Sequence, residues 1–155
     1  MGLRRKAREL AVQTIYALDY SVMDEEFREF NLLNSYPEIL SQMAEHDELA
    51  ADHPALTFAD ELVRNTIIHL EEVEAKLQAH SSNWSLERIA NLDRSILRIA
   101  IYEMLFTGTP PPVIINEAIE IAKKFSSESS NKFVNGILDA VHQEIKFKAL
   151  TPPTS

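Results

Sequence analysis

The sequence contains no cysteine, only three glycines and no long apolar run. Without cysteine there can be no disulfide, zinc–thiolate site, iron–sulfur cluster or cysteine nucleophile. Few glycines argue against a fold of many strands, which needs glycine in its turns. Because no apolar run reaches about 18 residues and no apolar segment follows the charged start, we expect neither a membrane span nor a signal peptide. A cytoplasmic protein is therefore expected.

Length and apolar content indicate one compact domain. The chain has 155 residues, of which 45% are hydrophobic, and typical domains hold about 100 to 200 residues. We expect one helical domain over residues 1–150, with an N-terminal half at 1–80 and a C-terminal half at 81–148. A tail rich in proline and threonine, residues 151–155, is expected to be disordered.

The charges are distributed unevenly along the chain. The net charge is −9, yet residues 1–8 carry four cations and no acid, namely Arg4, Arg5, Lys6 and Arg8. Residues 17–80 have a net charge of −12, and residues 81–155 are balanced. The acidic middle repels phosphate, so any nucleic acid is expected at the basic start. The same cations also fit an ordinary solvated terminus, and residue chemistry alone does not decide between the two.

Apolar residues recur at helical spacing and predict an all-α fold. The predicted helices cover about residues 3–19, 24–34, 37–50, 57–79, 91–106, 112–125 and 129–147, with a loop around Pro54 and a short turn after Ser85. Pro37 is expected to interrupt the chain between the second and third helices. Gly108 and the prolines after it are expected to end the helix that begins near Asn91.

No constellation predicts catalysis. Glu71, Glu72 and Glu74 lie on the polar face of a predicted helix, and a solvated charge run accounts for them. The five histidines form no HExxH motif, and the glycines are too far apart for a phosphate-binding loop. We therefore predict no catalytic residue, no metal and no cofactor.

Four blocks of the sequence resemble one known family. They are RRKARELAVQ at 4–13, LDRSILRIAIYE at 92–103, INEAIEIAKKF at 115–125 and KFVNGILD at 132–139. In this order and spacing they resemble the NusB transcription-antitermination family over about residues 4–142, with residues 20–56 matching poorly. The resemblance implies a seven-helix fold of two packed helical bundles.

The resemblance also implies a function without catalysis. Members bind the boxA element of ribosomal RNA leader transcripts together with a small-subunit ribosomal protein, called NusE in that role. The complex joins elongating RNA polymerase and other Nus factors to suppress termination. By similarity, the RNA-binding residues would be Arg4, Arg5, Lys6, Arg8, Gln13, Tyr16, Lys132 and Phe133, on one surface. Guanidinium groups pair with phosphates, and an exposed aromatic ring can stack on an unpaired base.

Some of the implied residues keep a second interpretation. The helical spacing of Phe133 fits a core position equally well. The partner site of the family maps onto Asp93, Arg94 and Tyr102. Relatives often carry an acidic residue just before the KFVNG block, where this chain has Ser129 and Ser130, so a different RNA affinity is expected.

Two further function classes stay open. A helical homodimer could act as a protein-interaction scaffold and would show no salt-sensitive RNA affinity. Ribosomal RNA cytosine methyltransferases also carry a domain similar to NusB, but a methyltransferase needs a further cofactor-binding domain that a chain of this length does not hold. The sequence does not decide between monomer and homodimer.

Overall fold

The computed structural model describes residues 2–18, 25–81 and 91–150, and within these ranges the chain is helical without strands. The seven α-helices are α1 Leu3–Ala17, α2 Arg28–His46, α3 Pro54–Ile68, α4 Leu70–His80, α5 Asn91–Phe106, α6 Pro111–Phe125 and α7 Glu128–Leu150; a 3-10 turn, Glu25–Phe27, precedes α2. The predicted all-α class is confirmed. The turn predicted after Ser85 and the tail at 151–155 lie outside the described residues. Across the described helices, none is long and apolar enough to span a membrane.

The first of two compact units, Met1–Leu70, is built around α1. This helix packs mainly against α3 and also against α2. Its core includes Ala7 and Leu10 from α1, Leu40 from α2, and Ala55 and Ala59 from α3. Small side chains on α3 let the helices approach closely, and α1 is buried almost continuously from Ala7 to Ile15. The exposed side chains of α1 therefore lie at its two ends, and Gln13 between them is partly exposed.

The second unit, Glu71–Ser155, is built around α5. α5 is buried from Ser95 to Met104 and packs on α6 and α7. The division falls at residue 70, and α4 forms ion pairs within the second unit. Lys76 and His80 of α4 both bond to Glu144 of α7.

Helix α2 runs without a break through Pro37, so the expected interruption there is wrong. Pro37 is exposed, whereas Leu32, Tyr36, Leu40 and Ala44 are buried at regular intervals of four. This spacing keeps one helical face against the core, and the Tyr36 hydroxyl donates to Asp60 Oδ1 of α3 at 2.8 Å. Tertiary packing therefore outweighs the backbone hydrogen bond that proline cannot make.

The single helix expected over 57–79 is two helices, α3 and α4, separated at His69. Its start is also earlier than expected, because Pro54 occupies the first turn and His53 Nδ1 accepts a hydrogen bond from Ala55 N at 3.1 Å. Proline suits this position, where its missing N–H costs nothing. The apolar stripe continues across His69, so periodicity does not detect the break.

Candidate nucleic-acid interface

The N-terminus of α1 combines a helix dipole with a cluster of cations. The first turn holds no acidic residue, and Gly2 provides no side chain to cap it. Cations at this end oppose the dipole, which favours negative charge near a helix N-terminus. Such an end attracts anions both through its backbone N–H groups and through its side chains. The backbone N–H groups and the cationic side chains would therefore both favour a phosphate at this end.

The four cations are not equally accessible. Arg4 is exposed, and Arg5 is partly exposed. Lys6 forms an ion pair with Asp47, just after α2, with 2.6 Å between Nζ and Oδ2. Arg8 is only 5% exposed. In this conformation Arg4 is thus the most accessible of the four cations to a phosphate.

Arg4 and Arg8 share one aromatic neighbour. Their guanidinium carbons lie 5.6 and 5.8 Å from the centroid of the Phe58 ring on α3. These distances are within cation–π range. Phe58 is itself half-buried against the core of the first unit.

Gln13 and Tyr16 lie further along α1. Gln13 is partly exposed, and Tyr16 is 55% exposed. Three residues apart, they lie on neighbouring parts of one helix face. An exposed tyrosine ring suits base stacking, so the structure leaves Tyr16 available for its predicted role.

The other two RNA-binding candidates lie at the start of α7, in the second unit. Lys132 is exposed, whereas Phe133 is 7% exposed and belongs to the core. Of the two interpretations of Phe133, its burial favours the core position, and in this conformation the ring is not presented to a base. Lys132 can reach a phosphate directly.

The partner candidates on α5 are largely enclosed. Asp93 is 5% exposed and accepts hydrogen bonds from the hydroxyls of Ser126 at 3.1 Å and Ser130 at 2.9 Å. Tyr102 is 7% exposed and stacks on Phe106, with 5.8 Å between ring centroids. Arg94 is half-buried. Through these hydrogen bonds Asp93 connects the start of α5 with the end of α6 and the start of α7. Ser130 is the residue of α7 that takes part.

Comparison with known proteins decides the family. A model of the NusB family matches residues 5–143. The chain belongs to the NusB family. Its relatives include the transcription antitermination protein NusB of Solibacter usitatus, 42% identical over 94% of this chain and 92% of that protein. NusB of Geobacter sulfurreducens is also 42% identical, over 91% of this chain and 94% of that protein.

Solved structures of NusB proteins share the fold. A structure of T. maritima NusB superposes with a TM-score of 0.69 at 31% identity, covering 94% of this chain and 96% of that one. The NusB chain of a crystal structure of the antitermination factors NusB and NusE with double-stranded RNA gives a TM-score of 0.74 at 24% identity, covering 92% and 97%. At that identity the second likeness speaks for the fold alone. The expected NusB-like fold is confirmed, and this is a family of antitermination proteins rather than enzymes.

Sequence reasoning missed two residues that organise the basic start of this NusB-family chain. Asp47 and Phe58 contact its cations, yet both are distant from it in sequence. Phe58 falls in the helix predicted over residues 57–79, and Asp47 lies in the segment that matches the family poorly. No periodicity indicates which side chain meets a cation on another helix, so only the fold shows these contacts.

Proposed function

We propose that this chain is a non-catalytic RNA-binding adaptor for transcription antitermination. It would bind boxA-type single-stranded RNA of ribosomal RNA leaders together with a small-subunit ribosomal protein in the NusE role, on elongating RNA polymerase with other Nus factors. Family membership supports the role, and a relative of the same fold is known in complex with NusE and RNA. Such a role belongs in the cytoplasm, where bacterial transcripts are made.

The observation that carries the proposal is the exposed Arg4 at the acid-free start of α1, beside the partly exposed Arg5. Phosphate contacts provide most of the affinity of such complexes, and arginine also stacks on unpaired bases. Tyr16 is accessible enough to extend this contact within the first unit, and Lys132 is a further accessible cation within the second unit. Arg8 and Phe133 are buried, so we assign each a supporting role within its own unit and not a direct contact with RNA.

The partner contact stays a proposal for the region of α5. Arg94, half-buried, is the candidate there that a ribosomal protein could reach most directly. Asp93 and Tyr102 would act by holding the ends of α5, because both are already engaged within the second unit.

Fluorescence anisotropy with a boxA-like single-stranded RNA tests the RNA role. Arg4→Gln should weaken binding and reduce the slope of log affinity against log salt by about 0.7, the value for one phosphate contact on a single strand. Lys146→Gln is the matched control, because Lys146 is exposed on α7 and lies outside the candidate interface. The titration is run at two salt concentrations, with and without the ribosomal partner.

Two results would overturn the RNA role. The wild type could show no preference for this RNA at either salt concentration, or Arg4→Gln and Lys146→Gln could weaken binding equally. A wild type that binds the ribosomal protein but no RNA would favour the alternative function, a homodimeric protein-interaction scaffold, which sedimentation analysis would then check.

A further inference from the structure

Phe58 lies where two arginines of the basic start meet the body of the first unit. Arg4 and Arg8 approach the same ring at 5.6 and 5.8 Å, but Arg4 is exposed while Arg8 is 5% exposed. Phe58 packs in turn against the cluster that contains Ala7 and Leu10 of α1. The ring therefore connects a buried guanidinium, an exposed one and the core.

This arrangement is locally unfavourable for α1. Arg4 and Arg8 are four residues apart, so their like charges face each other along the helix and repel. Arg4 also lies in the first turn, near the positive end of the helix dipole. An aromatic face is electron-rich and attracts both cations, which offsets part of this cost. Local conflicts that a fold maintains in this way are typical of functional sites.

We propose that Phe58 is a positioning residue for RNA binding, which holds the Arg4 guanidinium in place through a cation–π contact. The inference rests on the proposed RNA-binding function and adds to it a residue outside the basic start. With the ring in place, Arg4 loses less side-chain freedom when a phosphate binds, because part of its ordering has already occurred. Arg8, on the buried side, fixes the ring and the first turns of α1 relative to each other.

The test compares three full-length variants by anisotropy with the same boxA-like RNA. Phe58→Leu keeps an apolar side chain but removes the aromatic face, and should weaken binding about two- to five-fold. Phe58→Tyr keeps that face and should restore the wild-type affinity. Leu56→Ala is the matched control, because Leu56 packs on the same core cluster and should leave affinity unchanged while the protein is folded.

A double-mutant cycle separates positioning from general support of the fold. In the Arg4→Gln background, Phe58→Leu should add little further loss, because the guanidinium that the ring holds is gone. The salt slope of Phe58→Leu should stay near that of the wild type, since no charge is removed. Circular dichroism and urea unfolding confirm that each variant is folded; if Phe58→Leu is not, Phe58→Met takes its place.

The outcomes distinguish this inference from the proposed function. If the wild type binds RNA and Arg4→Gln weakens it, but Phe58→Leu binds as the wild type does, the positioning role is wrong and the RNA role stands. Equal losses from Phe58→Leu in both backgrounds, or an equal loss from Leu56→Ala, would also overturn the positioning role. If the wild type does not bind the RNA, both fail together.

Discussion

Asp47 controls how much of the charge on Lys6 is available to a phosphate. The 2.6 Å ion pair leaves the two side chains 25% and 22% exposed, so solvent screens the contact only in part. A phosphate that recruits Lys6 must displace this carboxylate or approach it. The ion pair therefore sets a cost on RNA binding through Lys6.

Asp47→Asn should consequently strengthen RNA binding about two-fold and steepen the salt slope by up to about 0.7, as Lys6 becomes a further phosphate contact. It should also lower the free energy of unfolding by about 1 kcal/mol, because a partly buried ion pair is lost. Asp52→Asn removes the same charge from an exposed position in the loop between α2 and α3 and is the control. Anisotropy and urea unfolding measure both effects. Equal changes from both variants would mean that net charge alone, and not the pairing of Lys6, matters.

The residue types of this site could be predicted from the sequence, but not their availability. Four cations within eight residues predict a phosphate-attracting start from charge alone. Whether Arg8 faces solvent or the Phe58 ring depends on where α3 packs, and no local pattern reports that. Phe133 shows the same limit. Its position in the sequence fits a buried helix stripe and an exposed aromatic residue equally well, so the sequence does not reveal whether the ring is buried.

The helices that proved easiest to predict have strong end signals. Gly108 and the prolines after it separate α5 from α6, and the predicted limits of α6 differ from the observed ones by one residue at its start. Pro37 led to the wrong prediction of a break. It removes only one backbone hydrogen bond, whereas four buried positions keep α2 packed on the core. The separation of α3 from α4 was missed because one non-helical residue, His69, does not disturb the apolar period.

Glu144 of α7 binds two cationic side chains of α4 and one of its own helix. Glu144 accepts hydrogen bonds from Lys76 Nζ at 2.7 Å and His80 Nε2 at 3.0 Å, and Lys148 lies 3.5 Å away. The hydrogen bond from Lys76, which has the larger effect, and the hydrogen bond from His80 lower the pKa of Glu144 from its ordinary 4.5 to about 2. The folded state thus favours the charged carboxylate more than the unfolded state does.

This depressed pKa predicts a pH-dependent stability. The contribution of Glu144 is complete above about pH 4.5, the pKa in the unfolded chain, and is lost as the pH falls towards about 2. Glu144→Gln should lower the free energy of unfolding by about 1 kcal/mol at pH 7, allowing for solvent screening. The gap between wild type and variant should narrow below about pH 4.5 in urea unfolding. Glu120→Gln, in an exposed pair on α6, should show a smaller gap. A gap that stays constant down to about pH 3 would contradict this account.

At the scale of the whole molecule, the charge distribution favours the start of α1 over the rest of the first unit as a place for RNA. The chain carries a net charge of −9, and its residues 17–80 carry −12, so phosphate is repelled from most of the first unit except the start of α1. Long acidic stretches do not favour tight binding of RNA by the chain alone. They do favour a basic protein partner, which can dock on acidic surface and add cations of its own to the contact with RNA.

An adaptor of this kind must obey reciprocity between its two ligands. If the ribosomal partner raises the affinity for boxA-like RNA by some factor, RNA must raise the affinity for the partner by the same factor. We expect a factor of about 5 to 150, the usual range for coupled sites. Isothermal titration of each ligand, in the absence and presence of saturating amounts of the other, measures both factors.

Arg4→Gln should lower RNA affinity in both titrations and leave partner affinity without RNA unchanged, because only one ligand meets that side chain. A factor of one in both directions would mean that the two ligands bind independently. The chain would then bind both partners without coupling their affinities.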